Sequence, residues 1–523
     1  MTDKKEEAIV PARTINENES MAEGKVDNVV EDIVHAAEEE FSPEQYRKLL
    51  AKVDWIILPM MWQDYLLKIC SGVQYADKVS ISTQATFGLI TDTHLFGQQY
   101  SWLTSIFYIA FLVAEFPANY VLQKFNLGRV VAISMFTWGI LVLCVAFTKT
   151  FADLMAIRFL QGLAESTTYP ALLVMTASWY TTREHSLRLV VWGTANPGMD
   201  IITSLINYGI GKRAQSQNGG LAPWKGISIF LGSLTIMLSV AVFFIFSTPR
   251  DCRWLSAEEK RMAQARVVSS QTGSDVKERK WDMHQVWVTL RDPQTYFFFF
   301  ISLINAIPNG GLTSFGNLVY TGFGFSSLDT IVKGKIPQQL LAIVWFIIVG
   351  NITMKKPGLR IYFILMSIVP SFAGLLALAL LPKGQEGLLW TRWGCYFITS
   401  LGTVTGPLLW TLLPSNVAGR TKKSVTSVVL FASWCAGNCI GAQVFQTKDA
   451  PMYTPAIVTC ATMFGVEFVM MILWRTYYQR QNRRRALLVA EMGFTEEESA
   501  HQGRLNAESD MTDFENIHFR YSL

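Results

Sequence analysis

The chain has 523 residues, half of them apolar and only 16% charged, with a formal net charge of +4 and a mean hydropathy of +0.25. About a quarter of the residues in a soluble domain are charged, so this composition excludes an ordinary soluble enzyme, and the near-neutral balance gives no sign of a nucleic-acid partner. Near-continuous apolar runs of about 20 residues point to membrane helices; because the runs do not alternate, a membrane barrel is excluded as well.

In chain order, residues 1–54 form a polar, acidic tail that carries EDIVHAAEEEF and has no cleavable signal peptide. Spans are expected over 55–76, 100–121, 130–148, 153–180, 188–210, 225–247, 295–320, 336–354, 360–381, 388–413, 424–446 and 454–474. One long loop, 248–293, contains TPRDCRWLSAEEKRMAQARV, in which Ser256 and Glu259 have the spacing of a capping box and predict a surface helix. That loop divides the chain into bundles of six spans, 55–247 and 294–474, followed by a tail, 475–523.

Basic loops recur at matching places in the two halves, LQKFNLGR with MKKPGLR and TTREHSLR with AGRTKKS. The echo predicts an all-α membrane protein of twelve transmembrane helices in two pseudo-symmetric six-helix bundles around a central cavity, the plan of a secondary transporter. The basic run RTYYQRQNRRR after the last span, with the basic central loop, puts both termini in the cytosol and leaves Lys333 and Lys335 in an outer loop.

Charge inside the spans demands a reason, since an arginine at a helix centre costs about 2.5–3.5 kcal/mol on the insertion scale. Arg158 and Glu165, in RFLQGLAES, share a helix face but stand about 10 Å apart along the axis, too far to pair with each other. They either tie this span to its neighbours or form an anion site and a proton site. Asp64 and Lys68, at i and i+4, have the spacing of a local pair.

Glu115 precedes Pro117, and Asp200 follows Asn196 and Pro197, where the backbone is expected to be irregular; Glu467 is expected to reach a neighbouring helix. In NAIPNGG, Asn305 and Asn309 flank Pro308 beside Gly310 and Gly311, which predicts a bend or break with polar groups at mid-depth. Asn438 and Gln443 either face the same cavity or make interhelical hydrogen bonds beside small residues. The seven cysteines form no CxxC pair and no histidine cluster has metal-ligand spacing, so no cofactor, metal or enzymatic activity is expected.

Several stretches, YADKVSISTQATFGL, QYSWLTSIFYIAFLVAEFPANYVLQKF, RFLQGLAES, RDCRWLSAEEKRMAQAR, NAIPNGGLTSFGN, GFGFSS, SNVAGRTKKSV and APMY, occur in an order that resembles the major facilitator superfamily and, within it, the fungal allantoate permease group of anion:cation symporters. The resemblance implies uptake of a small organic anion with protons, by a monomer in the plasma membrane. It also draws Asp77 and Lys78 into the pocket-facing part of the first helix, whereas hydropathy ends that span near Ala76.

On this reading Arg158, with Lys78, holds the negative group of the substrate, and Asn196, Asn305, Asn309 and Asn438 line its site. Glu165 carries the coupling proton, with Asp200 and Glu115 as the next acids. Two other functions fit the same sequence: a proton antiporter exporting a drug or metabolite, and a nutrient sensor that binds without transport.

Overall fold

The computed structural model describes residues 80–523 apart from 180–181, 217–220, 246, 250–251, 253, 270–281, 383–386, 496–497, 500–501, 504–505 and 507–509. The whole of the first expected span, 55–76, with Asp64 and Lys68, lies outside the described residues, and so does Lys78. Residues 80–86 are helical, beyond residue 76 where hydropathy ends the span.

The amino-terminal half then runs through α1 (Gln99–Lys124), α2 (Leu127–Val145), α3 (Phe151–Glu165), α4 (Thr168–Trp179), α5 (Thr182–Ser216) and α6 (Pro223–Ile245). Two helices join the halves: α7 (Ala257–Ser269) and α8 (Met283–Arg291). The reciprocal bonds of the expected capping box open α7, with Ser256 N donating to Glu259 Oε2 at 2.9 Å and Glu259 N to Ser256 Oγ at 3.1 Å.

The carboxy-terminal half comprises α9 (Pro293–Phe323), α10 (Ile336–Lys355), α11 (Arg360–Leu380), α12 (Leu389–Phe397), α13 (Thr405–Asn416), α14 (Arg420–Val444) and α15 (Thr454–Glu491). A 3-10 segment, Ile398–Val404, joins α12 and α13 into one span. Nine described helical stretches are long and apolar enough to cross a membrane. The fourth expected span falls short because it is split into α3 and α4, and the fifth because α5 is too polar on average.

Close helix contacts rest on glycine. A side chain at Gly310 would collide with the Asn438 backbone, one at Gly437 with the Leu303 carbonyl and one at Gly441 with the Ile307 carbonyl. These three glycines let α9 and α14 pack backbone to backbone. The expected break at NAIPNGG does not occur: α9 is continuous through Pro308, and its glycines serve the helix crossing. Likewise α5 runs unbroken through Asn196 and Pro197.

The last helix also outruns its expected end at residue 474, reaching Glu491, so its 38 residues extend about 57 Å. The chain then folds back on the base of the carboxy-terminal half, which we call the tail face. There Lys422 at the start of α14 meets Asp292, the cap of α9, and Asp513 of the tail.

Toward the opposite, distal face, the halves touch along two seams. Along α1 and α14, Ser101 Oγ donates to the Phe445 carbonyl and Ser105 Oγ to the Cys439 carbonyl, each at 3.1 Å, while Tyr108 stands edge-on to Trp434. Where α5 meets the start of the α10 span, the contact includes an ion pair between Asp200 and Lys335. The end of the first helix adds Asn317 of α9, whose amide donates to Thr83 Oγ1 at 2.8 Å.

Candidate functional site

The Thr150–Asp153 capping box fixes the distal end of α3. Arg158 lies two turns in, about 11 Å along the axis, and is only 6% exposed. It is within electrostatic reach of Tyr100, whose hydroxyl crosses between the halves to the Ser314 carbonyl at 2.7 Å. Three residues on, Gln161 is fully buried, and neither of its amide atoms has a hydrogen-bond partner among the described residues. Sequence reasoning passed over this glutamine because an uncharged amide leaves little mark on a hydropathy profile.

Glu165 ends α3, within electrostatic reach of Tyr108. The span expected as one helix breaks here, over Ser166 and Thr167. Hydroxyls compensate the lost backbone bonds: Ser134 Oγ of α2 donates to the Ala164 carbonyl, Thr167 Oγ1 donates to Ser134 Oγ at 2.7 Å, and Ser166 Oγ to the Leu163 carbonyl at 2.8 Å. A break at membrane depth is tolerated when side chains of this kind take up the freed groups. It leaves Glu165 at a helix end rather than in mid-helix.

The second charged cluster bridges the halves. Lys335 Nζ lies 2.6 Å from Asp200 Oδ1, with the lysine side chain 10% and the aspartate side chain 1% exposed. Gln339 Nε2 donates to the other carboxylate oxygen at 2.8 Å. The placement of Lys335 in an outer loop is therefore corrected. The helical run of this span begins at Ser327, and Thr330–Lys335 is a π-helical segment leading into α10.

Lys333, Gly334 and Lys335 are not apolar, so hydropathy alone starts this span only at residue 336. A capping signal was available: Ser326 Oγ accepts from Asp329 N at 3.1 Å, the S-x-x-D pattern that starts a helix. Lys333, on the same segment, is exposed and pairs with Asp329 at 2.9 Å.

The structure does not gather the asparagines into one group. The Asn305 amide donates to Thr405 Oγ1 at 2.5 Å and to Glu467 Oε1 at 3.0 Å, inside the carboxy-terminal half. Glu467 thus reaches a neighbouring helix, as its position predicts, and is 1% exposed. Asn438 is buried at the α9–α14 crossing and donates to the Trp434 carbonyl at 2.8 Å. Asn309 is exposed and accepts from Thr313 Oγ1 at 3.1 Å. Gln443 donates to Ser105 Oγ across the first seam at 2.8 Å. Asn196 is half-buried on α5, one turn before Asp200. Glu115 is half-buried on α1, where Asn119 donates to its carbonyl at 2.9 Å and to its carboxylate at 3.3 Å.

The sequence model of the Major Facilitator Superfamily matches residues 67–442. The chain is 31% identical over 509 residues to the allantoate permease of Saccharomyces cerevisiae, an alignment that covers 95% of this chain and 90% of that one. It is 30% identical to an uncharacterized transporter of Schizosaccharomyces pombe, over 96% of this chain and 92% of that one. Among solved structures, the proton:xylose symporter XylE superposes with a TM-score of 0.58 at 12% identity, covering 79% of this chain and 95% of the other.

Proposed function

Because this chain belongs to the major facilitator superfamily of membrane transporters, we propose that it imports a small organic anion together with protons, by alternating access across the plasma membrane. Similarity to the allantoate permease over nearly the whole length of both chains supports a carboxylate substrate. On this reading the tail face is cytosolic, and the basic residues 475, 480 and 483–485 at the end of the last span support that orientation.

The observation that carries the reading is the placement of opposite charges along α3, where Arg158 is buried beside the seam between the halves and Glu165 stands at the helix break. Buried arginine attracts an anionic group, and a carboxyl at the edge of a cavity gains and loses a proton as water enters and leaves. Arg158 therefore holds the substrate, with Lys78 as a second cation, and Glu165 carries the proton. The contacts toward the distal face correspond to a state closed on the outside.

Purified protein in vesicles, energised by an inward proton gradient, should concentrate labelled allantoate, and a protonophore should collapse the accumulation. Glu165→Gln should abolish accumulation while sparing exchange, and Arg158→Gln should weaken both. Binding without flux would favour a sensor, and efflux driven by the same gradient an exporter.

A further inference from the structure

The ion pair between Asp200 and Lys335 joins the two halves of the molecule, and the cycle has to separate them. Asp200 is on α5 of one half; Lys335 is on the segment leading into α10 of the other. When the distal side opens, the contact parts. A buried lysine left without a counter-charge is strongly destabilising, so a new anion or water must replace the aspartate.

We propose that Lys335 is a further anion-binding residue of the transport cycle, beyond Arg158 and Lys78, and that its partner Asp200 releases it to the substrate carboxylate on accepting a proton. This rests on the organic-anion reading above and adds a site in the carboxy-terminal half. Three features support it. The pair has one lysine and one carboxylate, so a single proton on Asp200 removes the attraction. Gln339 holds the other carboxylate oxygen, so the neutral acid keeps a hydrogen bond after the lysine has left. Finally, Lys335 ends a π-helical segment, a rare geometry that recurs frequently at functional sites.

The other titratable groups on the packed elements, among the described residues, include Tyr208 of α5 and Lys355 at the end of α10. Asp329 and Lys333 pair with each other, and Arg392 of α12 donates to the Pro382 carbonyl at 2.9 Å. Lys212 and Arg213 stand in the last turns of α5, and Lys225 in the first turn of α6. The phenols of Tyr320 and Tyr396 are buried against each other.

The alternative is a strut that merely fastens the halves. Full-length protein in vesicles, assayed by counterflow of labelled allantoate without a proton gradient, separates the two. For a site, Lys335→Gln should raise KM about tenfold or more while Lys335→Arg largely restores it. Asp200→Asn, which resembles the protonated acid, should lower KM about threefold and flatten its dependence on pH. The exchange of charges, Asp200→Lys with Lys335→Asp, should fold yet remain as impaired as Lys335→Gln.

Recovery of wild-type counterflow by the exchanged pair would show a strut and overturn the proposal. So would Lys335→Arg behaving like Lys335→Gln at equal monodispersity, or an unchanged pH profile in Asp200→Asn. Absence of proton-driven allantoate flux in the wild type would instead overturn the proposed function, and this site with it.

Discussion

Among the described residues two lysines are buried in the carboxy-terminal half, and they are held in opposite ways. Lys335 has one carboxylate, supplied by the other half of the molecule. Lys422 is completely enclosed and has two, Asp292 at 2.6 Å and Asp513 at 2.9 Å, both from its own half and the tail behind it. Each partner of Lys422 is itself tethered. Asp292 Oδ1 caps α9 by accepting from Gln294 N at 2.9 Å, and Asp513 accepts from Ala418 N at 2.9 Å and from the Tyr521 hydroxyl at 3.0 Å. A buried charge with a single exchangeable partner suits a contact that opens; one fixed from several directions suits a contact that stays shut.

The largest expected effect tests that distinction directly. Lys422→Met leaves Asp292 and Asp513 buried side by side, a loss of about 3–5 kcal/mol that should appear as a lower melting temperature or loss of the monodisperse peak in detergent. Lys335→Met leaves Asp200 with Gln339 and should cost less than half as much; equal losses would erase the comparison. Within the same half, Gly441→Val forces a side chain into the Ile307 carbonyl and should cost about 1–3 kcal/mol in thermal stability.

A smaller effect is expected where the groups are neutral. Ser134→Ala removes the hydroxyl that serves the break after Glu165 and should cost about 0.6 kcal/mol, with an upper end near 1.7, in the same assay. A loss as large as that of Lys422→Met would show that the number of tethers, not charge, governs stability here.

The smallest concerns the tail. Burial and neighbouring Arg520 hold the His518 imidazole below its ordinary value, so the docked tail prefers neutral histidine. Its contribution is present above that range and lost as pH falls through it. Burial raises Asp513, partly offset by Lys422, so its contribution has the opposite sign and is lost as pH rises. Hydrogen exchange over residues 510–523 should therefore quicken on acidification less in His518→Asn than in the wild type, by about twofold or less. Identical profiles would remove histidine from the docking.

Much of the fold was legible because membrane helices write themselves as long apolar runs, and the capping box at Ser256 and Glu259 is a local signal that needs no tertiary information. What escaped was decided by partners far away in sequence. Gly310 and Gly311 look like helix breakers until Asn438 and Gly441 are placed opposite them. Lys335 looks like a loop residue until Asp200 arrives from the other half. Arg158, Glu165 and Asp200 could be singled out from cost alone, since charge in an apolar run is conspicuous. Gln161 and Gln339 could not, because their burial depends on what packs over them.

The cluster around Lys422 also sets a timetable for synthesis. Asp292 and Lys422 are both made long before Asp513, which leaves the ribosome roughly 90 residues after the lysine, a delay of about 5–18 s at ordinary elongation rates. Through that interval α14 and α15 enter the membrane while the base of the half lacks one of its two carboxylates. The final closure is made by a strand of tail from the water side, where Asn416 and Ser522 exchange hydrogen bonds at 2.7 and 3.1 Å. Until then the inserted bundle holds Lys422 with Asp292 alone, and its base is fastened only when the last residues of the tail arrive.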